Sequence, residues 1–138
     1  MSYAGDVAPD AAWRMLREDP RSVLIDVRTD AEWAYVGLPS LQDVGKELVR
    51  ISWQLFPNGQ LNSDFVAEVR GKVADADRPL LFVCRSGGRS KAAAIAMTAA
   101  GYKACYNVAE GFEGDRDGTG HRGTVGGWKA RKLPWGQS

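Results

Sequence analysis

Between Leu80 and Met97 the chain reads LLFVCRSGGRSKAAAIAM, with a single cysteine, Cys84, between an apolar run and an alanine-rich one. Two arginines, Arg85 and Arg89, and two glycines, Gly87 and Gly88, follow it within five positions. A cysteine attacks as its thiolate; a free thiol titrates near about 8.5, and a helix N-terminus or adjacent cations commonly lower that to about 3.5–7.5. Glycines permit positive φ and close approach of a ligand. Successive N–H groups can then turn inward as an anion-binding nest, reinforced by the positive end of the following helix. Each feature favours an ionised Cys84, and an already ionised nucleophile needs no general base. The bland alternative is a small buried hydrophobe followed by a turn, but a turn does not require two arginines at a strand-to-helix junction.

In open α/β sheets, ligands bind at the carboxyl ends of strands, where the chain turns into a helix. That chemistry therefore needs a strand before Cys84 and a helix after it. Leu80 to Val83 is the most apolar strand candidate and reads as central. Arg89 to Ala100 has helical spacing, with Ala92, Ile95, Ala96 and Ala99 as its apolar stripe and Gly101 as a stop. Other segments supply the frame. Pro9 and Asp10 suit the first turn of a helix, with Ala12, Met15 and Leu16 on one face and Pro20 just beyond. Ser22 to Val27 is a β-branched run of the buried parallel kind. Thr29 and Glu32 stand at capping-box spacing ahead of a brief helix that Gly37 and Pro39 end. Val49 to Trp53 alternates as a strand, Phe65, Val66, Val69 and Val73 mark a helix capped by Ser63, and ACYNV at 104–108 is one more strand. Strands alternating with helices predict an α/β domain with a mainly parallel sheet.

Composition narrows the function classes. The 138 residues suit one domain, and 44% hydrophobic with 25% charged residues is ordinary for a soluble globular protein. A formal net charge of +1 gives no reason to expect nucleic acid or membrane as partner. No run approaches the roughly 18 apolar residues of a membrane span, and the first ten residues lack the marks of a secretory signal. Two cysteines are too few for a disulfide framework, so a reducing cytoplasm is the expected compartment. With one histidine, His121, no His-based triad or His-rich metal site is expected, and no metal or organic cofactor is called for. Beyond Gly111 the chain is glycine-rich and mildly basic, five basic to two acidic residues from Asp115 onward. Phe112, Trp128, Leu133 and Trp135 offer anchors there, so the reading is a single domain over 1–138 with 111–138 wrapped over it and a short helix near Trp128 to Leu133.

The sequence CRSGGRS, preceded by LLFV and followed by an alanine-rich helix, resembles the active-site loop of rhodanese-like sulfurtransferases. LIDVRTDAEW (Leu24 to Trp33) is similar to that family's early Asp-x-Arg strand end, and YNVAEGFEG to its last strand and turn; with GWKARKLPW in the tail, the likeness covers most of the chain. The resemblance implies a three-layer α/β/α rhodanese-like fold around a central, mainly parallel five-stranded sheet. It implies Cys84 as the sulfur-accepting nucleophile and Arg85, Ser86, Gly87, Gly88 and Arg89 as the substrate cradle. Ser90 closes this candidate binding set, although Ser86 and Ser90 can equally act as caps and Arg89 as a solvent-facing helix start. One segment departs from the family: VGLPSLQDVGKE (Val36 to Glu47) stands where a Gly-His-Ile-Pro-Gly-like stretch is frequent. That alters a loop and leaves the nucleophile untouched.

The implied reaction moves a sulfane sulfur from a small anionic donor such as thiosulfate, through a Cys84 persulfide, to cyanide, a thiol or a sulfur-accepting protein. Phosphatases and arsenate reductases on this fold place five residues between cysteine and arginine; four separate Cys84 from Arg89. The shorter loop makes a narrower cradle, which suits one sulfur better than a tetrahedral phosphate. A module that carries sulfur or binds a protein without turnover is the alternative from another class. Among other residues, Cys105 reads as a buried structural cysteine about 10 Å along the sheet from Cys84, too far for a disulfide. Asp26 and Arg28 end a strand on the Cys84 edge, where they can brace the loop or touch the donor, and a structural salt bridge with Glu32 or a loop group is the stronger expectation. Glu110 can line the pocket, His121 belongs at the surface, and Trp13, Trp33 and Trp53 belong to the core.

Overall fold

Strands buried on both faces read as unbroken apolar runs, and two such runs form the middle of this molecule. The structure is a computed structural model describing residues 2–137. In chain order it contains β1 (Gly5–Val7), α1 (Pro9–Glu18), β2 (Val23–Asp26), α2 (Asp30–Tyr35), β3 (Leu38–Pro39), a 3-10 turn (Gln42–Val44) and β4 (Val49–Arg50). There follow β5 (Gln54–Leu55), β6 (Gln60–Leu61), α3 (Phe65–Lys72), β7 (Leu80–Val83), α4 (Gly88–Ala99), β8 (Cys105–Val108), α5 (Gly127–Ala130) and β9 (Trp135–Gly136). The main sheet has five strands in the order β1-β8-β7-β2-β4, and every neighbouring pair is parallel. β7 is central, as its apolar run predicts, and all four of its residues are buried.

Period-two alternation divides the sheet's side chains between two helical layers. Leu24, Leu81, Val83 and Val108 meet Ala12 and Leu16 of α1 on one face. Val23, Ile25, Leu80, Phe82 and Cys105 meet Phe65 and Val69 of α3 and Ala93, Ala94 and Met97 of α4 on the other. This is the expected three-layer α/β/α architecture. The chain leaves β2 outward to β4, but leaves β7 through α4 in the opposite direction to β8. That divergence opens a crevice at the carboxyl ends of β2 and β7, where Cys84 follows Val83.

Several local expectations hold. Pro9 opens α1, and α2 carries the capping box: the Thr29 side chain accepts the Glu32 N–H while Glu32 accepts the Thr29 N–H. Three differ. Of the Val49–Trp53 strand only Val49–Arg50 pairs with β2; beyond it, Ile51 and Trp53 donate their N–H groups to the Asp26 and Val27 carbonyls as β2 runs out. Ser63 does not cap α3. Asp64 is the N-cap without a side-chain bond, and its N–H is taken by the Asn62 side chain at 3.1 Å. The buried stripe of α4 is Ser90, Ala93, Ala94 and Met97 rather than Ala92, Ile95, Ala96 and Ala99. In an alanine-rich helix nearly every register looks apolar, so the packing partner decides which face is buried.

After β8 the chain crosses the α1 face. Phe112 and Trp128 are fully buried, and Trp128 meets Trp13 edge to face at 5.8 Å. Trp128 Nε1 donates to the Pro134 carbonyl at 2.7 Å, and Arg131 bonds Glu110 and Asp10. Trp135 is 41% exposed and pairs through β9 with β3, so it anchors less than Trp128. Among the described residues no helix is long and apolar enough to cross a membrane.

Candidate active site

The loop after β7 takes its shape from the turn after β8. The Cys84 carbonyl accepts the Phe112 N–H at 2.8 Å, and the Arg85 carbonyl accepts those of Glu113 and Gly114 at 3.0 and 3.1 Å. These bonds pull the loop carbonyls away from the cavity. The approach is close enough to exclude side chains: a Cβ on Gly111 (φ +70°) would stand 2.5 Å from the Arg85 oxygen, and one on Gly87 (φ +116°) 2.3 Å from the Ala109 oxygen. Gly87 thereby turns its N–H onto Cys84 Sγ at 3.2 Å. α4 begins at Gly88, so the positive end of its dipole faces the same sulfur.

Cys84 is 1% exposed and forms the floor of a cavity of about 290 Å³, lined also by Gln54, Arg85, Ser86, Gly88 and Arg89. Cys84 lines this hollow while almost wholly buried. A hollow of about 510 Å³ lies beside α2, lined by Asp30, Trp33, Ala34, Leu38 and Arg50, and it contains no cysteine. The two arginines of the loop differ. Arg85 is exposed at the mouth and, among the described residues, makes no ion pair. Arg89 is held in a fork by Glu32, Nη1 to Oε1 at 2.7 Å and Nη2 to Oε2 at 2.9 Å. Ser90 places its hydroxyl 3.2 Å from Sγ and 2.5 Å from Asn107 Oδ1. Among the described residues no group of three His, Cys, Asp or Glu side chains could hold a metal ion.

Burial alone would raise the Glu32 carboxyl, but the Arg89 hydrogen bonds and charge, the Thr29 N–H and the Arg28 charge bring it below the ordinary glutamate value. The Glu32 bonds raise Arg89 in turn, against its desolvation, with Cys84 and Asp26 contributing. Because the folded state depresses Glu32, its contribution is complete above the unfolded value and disappears as pH falls through the folded one. Both side chains are about one-fifth exposed, so Glu32→Gln is expected to cost about 1–2 kcal/mol at pH 7. Urea denaturation of both proteins at pH 7 and pH 3 checks this: the difference should shrink in acid, and a difference independent of pH would refute the linkage.

The structure brings Cys84, Arg85, Ser86, Gly87, Gly88, Arg89 and Ser90 into one loop around one sulfur. Other readings need correction. Arg28 pairs with Asp26 rather than Glu32, at 2.7 Å with both side chains fully buried, and also donates to the Gly37 carbonyl. Its guanidinium lies 4.4 Å from the centre of the Phe112 ring, so the pair supports the turn that holds the loop. Glu110 does not line the cavity; it accepts the Gly127 N–H and binds Arg131. Cys105 is fully buried, with its thiol pushed up by desolvation, and aligns with Leu80, four residues before Cys84. His121 is exposed, as expected. Sequence reasoning missed Gln54, which arrives on a hairpin with no local signal, and Asn107, a polar residue on the inward face of an apolar strand.

Comparison with known proteins agrees with this geometry. The family model described as the STR4 middle domain matches residues 4–138. The crystal structure of Rv0390 from M. tuberculosis superposes with a TM-score of 0.91 at 48% identity, covering 99% of this chain and all of that one. A Rickettsia conorii protein, RC0915, is 38% identical over 94% of this chain and 95% of its own. The rice protein THYLAKOID RHODANESE-LIKE, chloroplastic, is 29% identical over 95% of this chain but only 25% of its own length. A sheet order that opens the crevice at Cys84, a loop braced by the turn after the last main-sheet strand, and a family match along nearly the whole chain converge: the protein belongs to the rhodanese-like family of sulfurtransferases and sulfur-carrier modules.

Proposed function

We propose that the protein transfers a sulfane sulfur through a persulfide on Cys84. The observation that carries this reading is the recessed Sγ, which accepts the Gly87 N–H at the positive end of α4 beneath a small cavity rimmed by two arginines. Preorganised donors aimed where negative charge develops are the main means of stabilising such an atom. The Cys84 thiolate attacks the outer sulfur of thiosulfate, the donor's S–S bond breaks, and sulfite leaves with its electron pair. Arg85 holds the sulfonate end at the mouth, while Arg89, fixed by Glu32, contributes charge without moving. An acceptor thiolate then attacks the outer persulfide sulfur and returns Cys84 as a thiolate. No step requires a metal or organic cofactor. Two free cysteines suit a reducing compartment, and the cytoplasm is the proposed site of action.

The test is intact mass after incubation with thiosulfate, followed by cyanide or a small thiol. One added sulfur, about 32 Da on the nucleophile, should appear with the donor and vanish with the acceptor as thiocyanate or the acceptor persulfide forms. Hydrolysis of p-nitrophenyl phosphate without any sulfur adduct would overturn the reading in favour of phosphoryl chemistry. An adduct that only a protein acceptor discharges would identify a carrier.

A further inference from the structure

Pro20, Arg21 and Ser22 join α1 to β2, and their three consecutive carbonyls all accept from cations elsewhere in the chain. Lys46 Nζ donates to the Pro20 carbonyl at 3.0 Å and to the Ser22 carbonyl at 2.8 Å, and Arg78 Nε donates to the Arg21 carbonyl at 2.8 Å. A carbonyl accepts a hydrogen bond but carries no net charge, so it fixes a cation in place without neutralising it. Among the described residues neither Lys46 nor Arg78 forms an ion pair, and neither does Lys72, the last residue of α3. All three line one cavity of about 290 Å³, with Val23 and Val49 in its apolar wall and the exposed Glu47 as its sole carboxylate. The acids of the flanking turns are engaged elsewhere: Asp75 binds Arg21, Asp77 binds Lys103, and Asp19 accepts the Arg21 N–H. Burial, and after it the Arg78 charge, lower the Lys46 ammonium below its ordinary value, against an opposing pull from Asp19. Two fixed cations that disfavour each other are relieved by an anion between them.

We propose that this cavity is a second ligand site, which binds a phosphate group through Arg78, Lys46 and Lys72. Three cations less the one Glu47 carboxylate leave a charge of +2, which a phosphate dianion matches and a monocarboxylate does not. The donors are also in hand. Among the described residues no hydrogen bond engages the terminal nitrogens of Arg78, whose planar fork suits two phosphate oxygens, and Lys46 keeps the third of its N–H groups. The site lies at the amino ends of β2 and β4, whereas Cys84 follows the carboxyl end of β7. Val23 pairs with Leu80, four residues before Cys84, so about 13 Å of strand separates the two sites. A ligand bound here does not meet the nucleophile, and the proposal does not rest on sulfur transfer.

The experiment is titration calorimetry of the full chain with pyrophosphate at low ionic strength, where screening is weakest. Saturable binding is expected. Arg78→Met should weaken it by at least about ten-fold, because it removes the charged fork. Lys72→Ala changes an exposed side chain at a helix end and should weaken it about three-fold with thermal unfolding unmoved. Glu47→Gln removes the opposing carboxylate and should tighten it about two-fold. This opposite response separates a built site from cations that merely hold the carbonyls of a turn. Cosedimentation with phosphatidylcholine vesicles containing phosphatidic acid distinguishes the source of the phosphate: the same ordering on vesicles, with no binding of pyrophosphate, assigns the site to a lipid headgroup. Binding of neither probe overturns the proposal, and so does binding that Lys72→Ala and Glu47→Gln both leave at the wild-type affinity.

Discussion

Cys84→Ser is expected to abolish sulfur transfer, lowering thiosulfate:cyanide turnover by at least about 10³-fold, because an alkoxide is not accessible at neutral pH and the covalent intermediate cannot form. The sulfur adduct detected by intact mass should vanish with it. The substitution is mild for the fold: a serine hydroxyl can accept the Gly87 N–H that Sγ accepts at 3.2 Å, and the braces on the Cys84 and Arg85 carbonyls come from backbone. Thermal unfolding should therefore move little while activity is lost. The paired control is Cys105→Ala, which removes the other thiol from a fully buried position aligned with Leu80, well away from the loop. It should retain turnover and lose some stability to the cavity it creates. Residual turnover in Cys84→Ser, or its loss in Cys105→Ala, would assign the chemistry to the wrong sulfur.

The second large effect is on stability. Arg28→Met should destabilise the protein by about 3–5 kcal/mol, because it leaves Asp26 charged, buried and without its ion partner. Both side chains are fully buried, and Arg28 Nε and Nη2 together engage both Asp26 oxygens. The arginine also covers Phe112, whose N–H holds the Cys84 carbonyl, so the loss should reach the loop as well as the core. The double variant Asp26→Leu with Arg28→Met removes both charges, and apolar replacement of a whole buried pair is frequently neutral or better. It should recover most of the stability lost by Arg28→Met alone. Urea unfolding of wild type and the variants measures this; a single variant within about 1 kcal/mol of wild type would show that the pair is solvated.

Legibility in the sequence followed the range of the forces. The capping box of Thr29 and Glu32, Pro9 at the start of α1 and the apolar runs of β2 and β7 are local, and all appear where spacing places them. α4 itself was legible, but its buried face was not, because alanine on every side leaves the register to the sheet beneath. Ser63 illustrates the same limit at a helix end: the N-cap falls one residue later, on Asp64, whose own N–H is held by the Asn62 side chain. Ion pairs were legible as residues but not as pairings. Arg28 and Glu32 are four apart, yet each binds elsewhere, Arg28 to Asp26 and Glu32 to Arg89, 57 residues away.

What the amino-acid order determines by itself is the nucleophile and its immediate setting. A strand must end, glycines must turn the chain, and a helix must begin, and all three instructions lie within ten residues of Cys84. What only the tertiary structure decided is how that sulfur is held: Glu32 on Arg89, the Phe112 turn on the loop carbonyls, and Asn107 with Asp6 behind Ser90. These contacts join segments dozens of residues apart, so their partners are chosen by strand order and register. Hydrophobic burial across the whole sheet fixes that order and register, and no short window of sequence contains it.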